Sequence, residues 1–370
     1  MGTLEERLAV LEEAPSSLDH MVECAALAAE ARAAGDPVVA VSAKAKEAYV
    51  ARDLARQQHC VVAGAELVEL WPDLERREPL PASRARRILH AFQCAAGAAM
   101  DLPEIPLATV EQLVTYTERA LLHQGADPFG AWLLRGRLAY IEGDQEAVRG
   151  WVERIAPTIN RYNWVYNFTS CPGCELTQVA GWMGRGAAPE ELATVLDPVL
   201  SGEGRWRDPP SHAAWLEQAV GSGVCDGSRS IAPRLFARSL AGAGRHAEAA
   251  VQAKKALARS KDRNPEEHGR LLTMRLDVAA AGDRGSTVAR CVDELEPILD
   301  KIEDAYELHD ALVAACKAIA KTGVTTKLAA YGALRERALG LARRLDARLT
   351  TPRHVAETEA TLPASITAHA

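Results

Sequence analysis

Aromatic side chains are scarce in this chain, 5% of 370 residues, while alanine is abundant. That balance disfavours β-sandwiches, whose strands draw on β-branched and aromatic residues, and favours close-packed helices. Eight cysteines are far too few for a disulfide scaffold, so free thiols in a reducing compartment are expected. Positive charge is in deficit too, with a formal charge of −7 and an isoelectric point near 5.9. Nucleic-acid or anionic-membrane binding over a broad surface needs the opposite balance and is not expected. Short basic clusters such as Arg84, Arg86 and Arg87 read as a solvated helix face. No window approaches about 18 uncharged apolar residues, so no transmembrane helix is expected. The segment Met1 to Glu13 carries Glu5, Glu6, Glu12 and Glu13 where a secretory signal would be basic and then apolar. A cytoplasmic location follows as the expectation.

Catalytic signatures are missing as well. The chain has no glycine-rich phosphate loop, no GxSxG elbow and no HExxH helix. Paired carboxylates such as Glu190 with Glu191 and Glu266 with Glu267 stand at helix starts, where they complement the helix dipole and need no catalytic explanation. His246, His268 and His309 are separated from one another and fall on polar helical faces, which reads as surface residence. Cys24, Cys94, Cys291 and Cys316 sit among alanines and aliphatics as small buried hydrophobes, and the pair His59-Cys60 falls in a helical run and reads as core.

What the chain does have is helical periodicity broken at regular points. Leu4 to Leu11 forms a first amphipathic set, and Ser16 or Ser17 caps a longer helix running to Ala34. Gly35, Asp36 and Pro37 end that helix and begin the next, Val38 to Val50, with a further run from Cys60 to Leu70. Trp71-Pro72 is read as the end of that run, because the residue before proline avoids helical angles, and 72–83 as a loop. Helices resume from Arg84 to Met100 and, after Pro103 and Pro106, from Val110 to Leu122.

Asp127 to Ile155 reads as a helix-turn-helix hairpin centred on Gly143-Asp144, which supplies first a C-cap and then an N-cap. Ala147, Trp151 and Ile155 follow at helical spacing in its second helix. Similar punctuation returns at Gly184, Gly244, Gly282 and Gly323, at intervals of 41, 60, 38 and 41 residues. Periods of this size signal stacked helix pairs, none of which buries its apolar face alone. The long interval holds glycine- and proline-rich segments, read as a loop inserted at about 201–230.

Trp132 to Gly136, Ala139, Tyr140 and Gly143 to Ala147, then Leu235, Ala237 and Gly244 to Ala249, resemble the small-residue and glycine-turn pattern of tetratricopeptide repeats. The resemblance covers about 125–345, and 16–122 in degenerate form; it departs from the family in its longer spacing and in lacking a regular proline at the end of the second helix. It implies an all-α fold, a right-handed α-solenoid of stacked antiparallel helix pairs, with degenerate repeats in 1–122 and clearer repeats in 123–350; the tail, 351–370, rich in threonine and alanine with two prolines and few large apolars, is expected to be disordered. The resemblance also implies a groove that binds a peptide or protein partner. The cysteine hairpin resembles that of an uncharacterised actinobacterial group of such repeat proteins.

Two irregular stretches stand out. Cys171 and Cys174 are spaced so that both sulfurs can face one point, beside a helix start that Ser170 could cap and Pro172 fits. Three readings stay open: one structural zinc ion completed by His212 and Cys225 in the long insertion, a dithiol couple, or plain structural cysteines. No other cofactor is expected. In Asn160 to Phe168, helical spacing would place Asn160, Asn163 and Asn167 on one stripe with Trp164 beside it. Amides can clasp a peptide backbone while rings supply contact area; equally, these rings could fill a joint in an extended repeat. Eleven of the eighteen aromatics lie between Phe129 and Trp215, which locates the search for a binding surface. Arg135, Asn160, Asn163, Trp164 and Asn167 are the candidate partner-binding residues, and Cys171, Cys174, His212 and Cys225 the candidate zinc ligands. The expected function is a scaffold or adaptor that binds a protein or peptide, without nucleic acid or membrane. The alternatives are a zinc- or thiol-based enzyme centred on Cys171 and Cys174, or an accessory subunit of an enzyme encoded elsewhere.

Overall fold

The local stop and start signals act as the sequence leads one to expect. In the computed structural model, which describes residues 2–54, 56–126, 128–155, 172–183, 188–200, 226–259 and 265–366, Ser17 accepts a hydrogen bond from the His20 N–H and opens a helix at Leu18. Gly35 closes that helix with φ +74°, Asp36 accepts from the Val39 N–H, and Pro37 occupies the first turn of the next helix. Thr3 and Glu6 form a reciprocal capping box at the first helix. Gly143, Gly244 and Gly323 are all left-handed, as helix-ending glycines are. At the Gly282 turn the left-handed residue is Asp283 instead, with φ 53°.

Among the described residues all regular structure is helical, in two compact units. The first contains α1 (Leu4–Glu13), α2 (Leu18–Ala33), α3 (Pro37–Asp53), α4 (Gln57–Glu75), α5 (Ala82–Asp101), α6 (Leu107–His123) and α7 (Phe129–Glu142). The second contains α8 (Gln145–Ile155), α9 (Pro172–Trp182), α10 (Pro189–Leu200), α11 (Asp226–Gly242), α12 (His246–Arg259), α13 (Pro265–Ala281), α14 (Gly285–Leu295), α15 (Ala305–Thr322), α16 (Leu328–Asp346) and α17 (His354–Thr361), with short 3-10 turns after α14 and α15. The division between the units falls at Gly143 and Asp144, inside the expected hairpin. No described helix is long and apolar enough to cross a membrane.

Each unit follows one packing rule. In the first, α1 packs on α3, α3 on α5 and α5 on α7, while α2, α4 and α6 each lie against the odd-numbered helices before and after them. In the second, α9, α11, α13 and α15 form a similar row, with α10, α12 and α14 between them in the same manner. Small residues allow the close approaches. A Cβ on Gly64 of α4 would collide with the Ala95 side chain of α5, so this crossing requires glycine. The core of the first unit runs from Leu8 and Leu27 to Trp71, Phe92 and Phe129. That of the second includes Leu240, Met274, Leu276, Val292, Leu312, Ile319 and Leu345.

Two boundaries differ from expectation. α4 does not stop at Trp71 but continues through Pro72 to Glu75. Trp71 is buried edge-on against Phe92 at 5.7 Å and His123 at 5.5 Å, and this packing holds the last turn helical even though proline forfeits a bond to the carbonyl four residues back. The segment after Thr351, expected to be disordered, contains α17 through residue 361. The Asp346 carboxylate accepts the N–H groups of Arg353, His354 and Val355, at 2.8, 2.7 and 2.9 Å, and so caps α17 from a distance in sequence. Leu362 is buried beyond it, and the Tyr331 hydroxyl donates to the Pro363 carbonyl at 2.6 Å.

Candidate functional site

Most of the expected site residues lie outside the described residues: Asn160, Asn163, Trp164, Asn167, Cys171, His212 and Cys225. Cys174 is placed by its backbone in the first turn of α9, which opens at Pro172 as its sequence suggests. Among the described residues no group of three or more His, Cys, Asp or Glu side chains is positioned to hold a metal ion.

Arg135 of α7 is described, and its guanidinium is engaged within its own unit. It donates to Glu111 at 2.9 Å and to Glu118 at 2.8 Å, both on α6. Burial alone would lower its pKa, but the two carboxylates outweigh that and raise it. A guanidinium forked between two carboxylates ties α7 to α6.

The thiols that are described are inert. Cys24, Cys60, Cys291 and Cys316 are buried, Cys94 nearly so, and burial pushes the thiols of Cys24, Cys60, Cys94 and Cys316 up to about 12. His59, expected in the core beside Cys60, instead reaches the buried Glu47 carboxylate at 2.6 Å. Glu47 also accepts from buried Lys44 at 2.6 Å, so that α3 and α4 share a desolvated charge network that Glu66 completes. His309 is not a surface residue either. Its Nε2 lies 2.9 Å from the Thr358 hydroxyl, and its ring meets that of buried His354 edge-on at 5.8 Å. These two histidines fasten α17 to α15.

The odd-numbered rows carry most of the partly buried charge. In the second unit, Arg234 of α11 bonds Glu267 of α13, and Arg238 of α11 reaches both Asp277 of α13 and Asp310 of α15 at 2.7 Å. Arg270 of α13 reaches Glu307 of α15 at 3.2 Å. In the first unit, Asp101 of α5 is buried between Arg52 of α3 and Arg137 of α7. Charge therefore stitches successive odd-numbered helices together.

The basic cluster at the start of α5, expected to be one solvated face, divides three ways. Arg84 pairs with Glu5 at 2.8 Å and Arg87 with Glu12 and Glu13, all on α1. Arg86 is half-buried and faces His90 one turn on, and among the described residues no carboxylate meets it; burial alone depresses its pKa. His90 stacks edge-on against Tyr49 of α3 with ring centroids 5.1 Å apart. Burial, helped by the charges of Arg86 and Arg52, holds the His90 imidazole down at about 4, so the ring is neutral near pH 7. Lys46 of α3 stands 5.6 Å from the Tyr49 ring centroid and donates to the Glu12 carbonyl at 3.0 Å. Sequence reasoning missed this group because its members come from two helices. The one signal available was the i, i+4 spacing of Arg86 and His90. No family model, no curated protein and no solved structure matches this chain.

Proposed function

We propose that the chain is a protein- or peptide-binding scaffold acting through the concave face of a right-handed α-solenoid of stacked, antiparallel, tetratricopeptide-like helix pairs. The supporting observation is the packing rule within each unit, in which odd-numbered helices follow one another in a row and even-numbered helices fill in behind. A row of this kind keeps one long side uncovered by its own even-numbered helices, and such sides suit extended ligands. The polar side chains fixed across the row, Arg52 with Asp101 and Arg238 with Asp277, would give that side a rigid pattern of charge.

Peptides selected from a random dodecapeptide display library against the full chain test this reading. A photo-crosslinker in place of Tyr49 on α3 should capture them, whereas one in place of exposed Val62 on α4 or Leu122 on α6 should not. Capture confined to the even-numbered positions would sink the proposal.

A second reading concerns Cys174, whose backbone lies in the first turn of α9; helix N-termini favour thiolates. We propose one structural zinc ion held with Cys171, His212 and Cys225. Metal analysis of the purified chain should then find one zinc per molecule, lost in Cys171→Ser; no zinc, with folding of that variant intact, would remove it.

A further inference from the structure

We propose that the first unit carries an acidic-peptide site, in which Arg86, His90 and Lys46 around the Tyr49 ring receive a side-chain carboxylate from an internal segment of a partner. This deepens the scaffold reading and rests on it.

Arg86 is unlike the other partly buried arginines of its unit. Arg7, Arg52, Arg84, Arg135 and Arg137 of the same unit are each met by a carboxylate. Arg86 is half-buried yet meets none among the described residues. Removing a guanidinium from water without an acceptor is costly, and an arriving anion recovers that cost. The cost is borne at one spot, because the sequence-adjacent Arg84 and Arg87 turn toward α1 and are neutralised there.

The surroundings supply further donors; of the nearby carboxylates, Glu12 and Glu13 beside Lys46 are both paired with Arg87, and Asp53 lies toward Tyr49. The His90 ring sits one turn from Arg86, and neutral imidazole can present an N–H. The Lys46 ammonium uses one of its three donors on the Glu12 carbonyl. Gln93, one turn beyond His90 on α5, has a buried Nε2 without a hydrogen-bond partner, and it lies against Gly130 of α7, where a Cβ would collide with it. Tyr49 is 38% exposed and offers a flat apolar surface beside these donors.

This chemistry discriminates between anions. One unpaired guanidinium, a neutral imidazole and one partly engaged ammonium match the single charge of a carboxylate better than the double charge of a phosphate. A half-exposed ring suits the apolar stem or neighbour of an acidic residue in a peptide.

The test uses the full chain and a fluorescein-labelled twelve-residue peptide of repeated glutamate, alanine and leucine with both ends blocked, followed by fluorescence anisotropy. Arg86→Ala is expected to weaken binding about tenfold and Arg86→Lys less, while Arg84→Ala, which faces Glu5, leaves it unchanged. Raising salt from about 50 to 300 mM should weaken binding several-fold. Equal binding by Arg86→Ala and the unaltered chain, equal binding of the matched lysine peptide, equal loss in Arg84→Ala, or displacement by 1 mM inorganic phosphate would each overturn the site. Display-selected peptides that crosslink at Tyr49 yet lack acidic residues would overturn it while leaving the scaffold reading in place.

Discussion

The two units use arginine differently along their odd-numbered rows. In the second, Arg234, Arg238, Arg270 and Arg275 all end on carboxylates of neighbouring helices, and Arg238 serves two helices at once. In the first, Arg52 and Arg137 converge on Asp101, but Arg86 meets no carboxylate among the described residues and faces the His90 ring. Paired arginines of this kind fix the registration of helices, and removing one strands its partner's charge. An unpaired half-buried arginine contributes nothing of that sort to folding. The contrast separates charge that holds the structure from charge kept for a ligand.

The largest expected effect tests that separation directly. Arg238→Ala leaves Asp277 and Asp310 without their shared cation and should destabilise the second unit by about 2–3 kcal/mol, read by urea denaturation and by faster amide exchange in α11, α13 and α15. Arg86→Ala should cost less than about 1 kcal/mol in the same measurement. Comparable losses from the two would erase the distinction.

Acid sharpens the comparison from the other side. His90 is held at about 4 in the folded chain, against about 6.5 when unfolded, so the unfolded state binds the proton first. Its contribution is therefore complete above pH 6.5 and declines as pH falls toward 4, by about 3 kcal/mol in all. Urea midpoints at pH 7.5, 5.5 and 4.5 should converge between the unaltered chain and His90→Gln as acid removes the difference. Parallel pH curves for the two proteins would contradict the burial of a neutral ring.

A smaller effect belongs to the end of the second unit. Burial would raise the Asp346 pKa, but three backbone N–H groups more than offset it and hold the carboxylate below its ordinary value. Its stabilisation is thus present above pH 3.8 and disappears as pH drops through the lower folded value. Asp346→Ala should cost about 1–2 kcal/mol and make α17 the first segment cut in limited proteolysis. A protected α17 in that variant would mean that the His309–His354 contact and Leu362 suffice to hold it.

Helix existence was legible in most of the described residues, α17 excepted, and many ends were legible too. Ser17, Asp36 with Pro37, and Gly143 act within three or four residues of themselves, so a linear reading finds them. Pro72 misled because burial of Trp71 against Phe92 and His123 outweighs a local preference. The tail misled because its cap is Asp346, outside the tail itself. Of the candidate site, Arg135 was legible as a charge but not as one already claimed by Glu111 and Glu118.

Sequence alone determined that this chain is helical and where most of its helices start and stop, because propensity, capping and periodicity are short-range. Only the tertiary structure decided which charges are free. Whether Arg84, Arg86 or Arg87 finds a carboxylate depends on which side of α5 faces α1, and on Tyr49 of α3 meeting His90, neither of which one helix can specify.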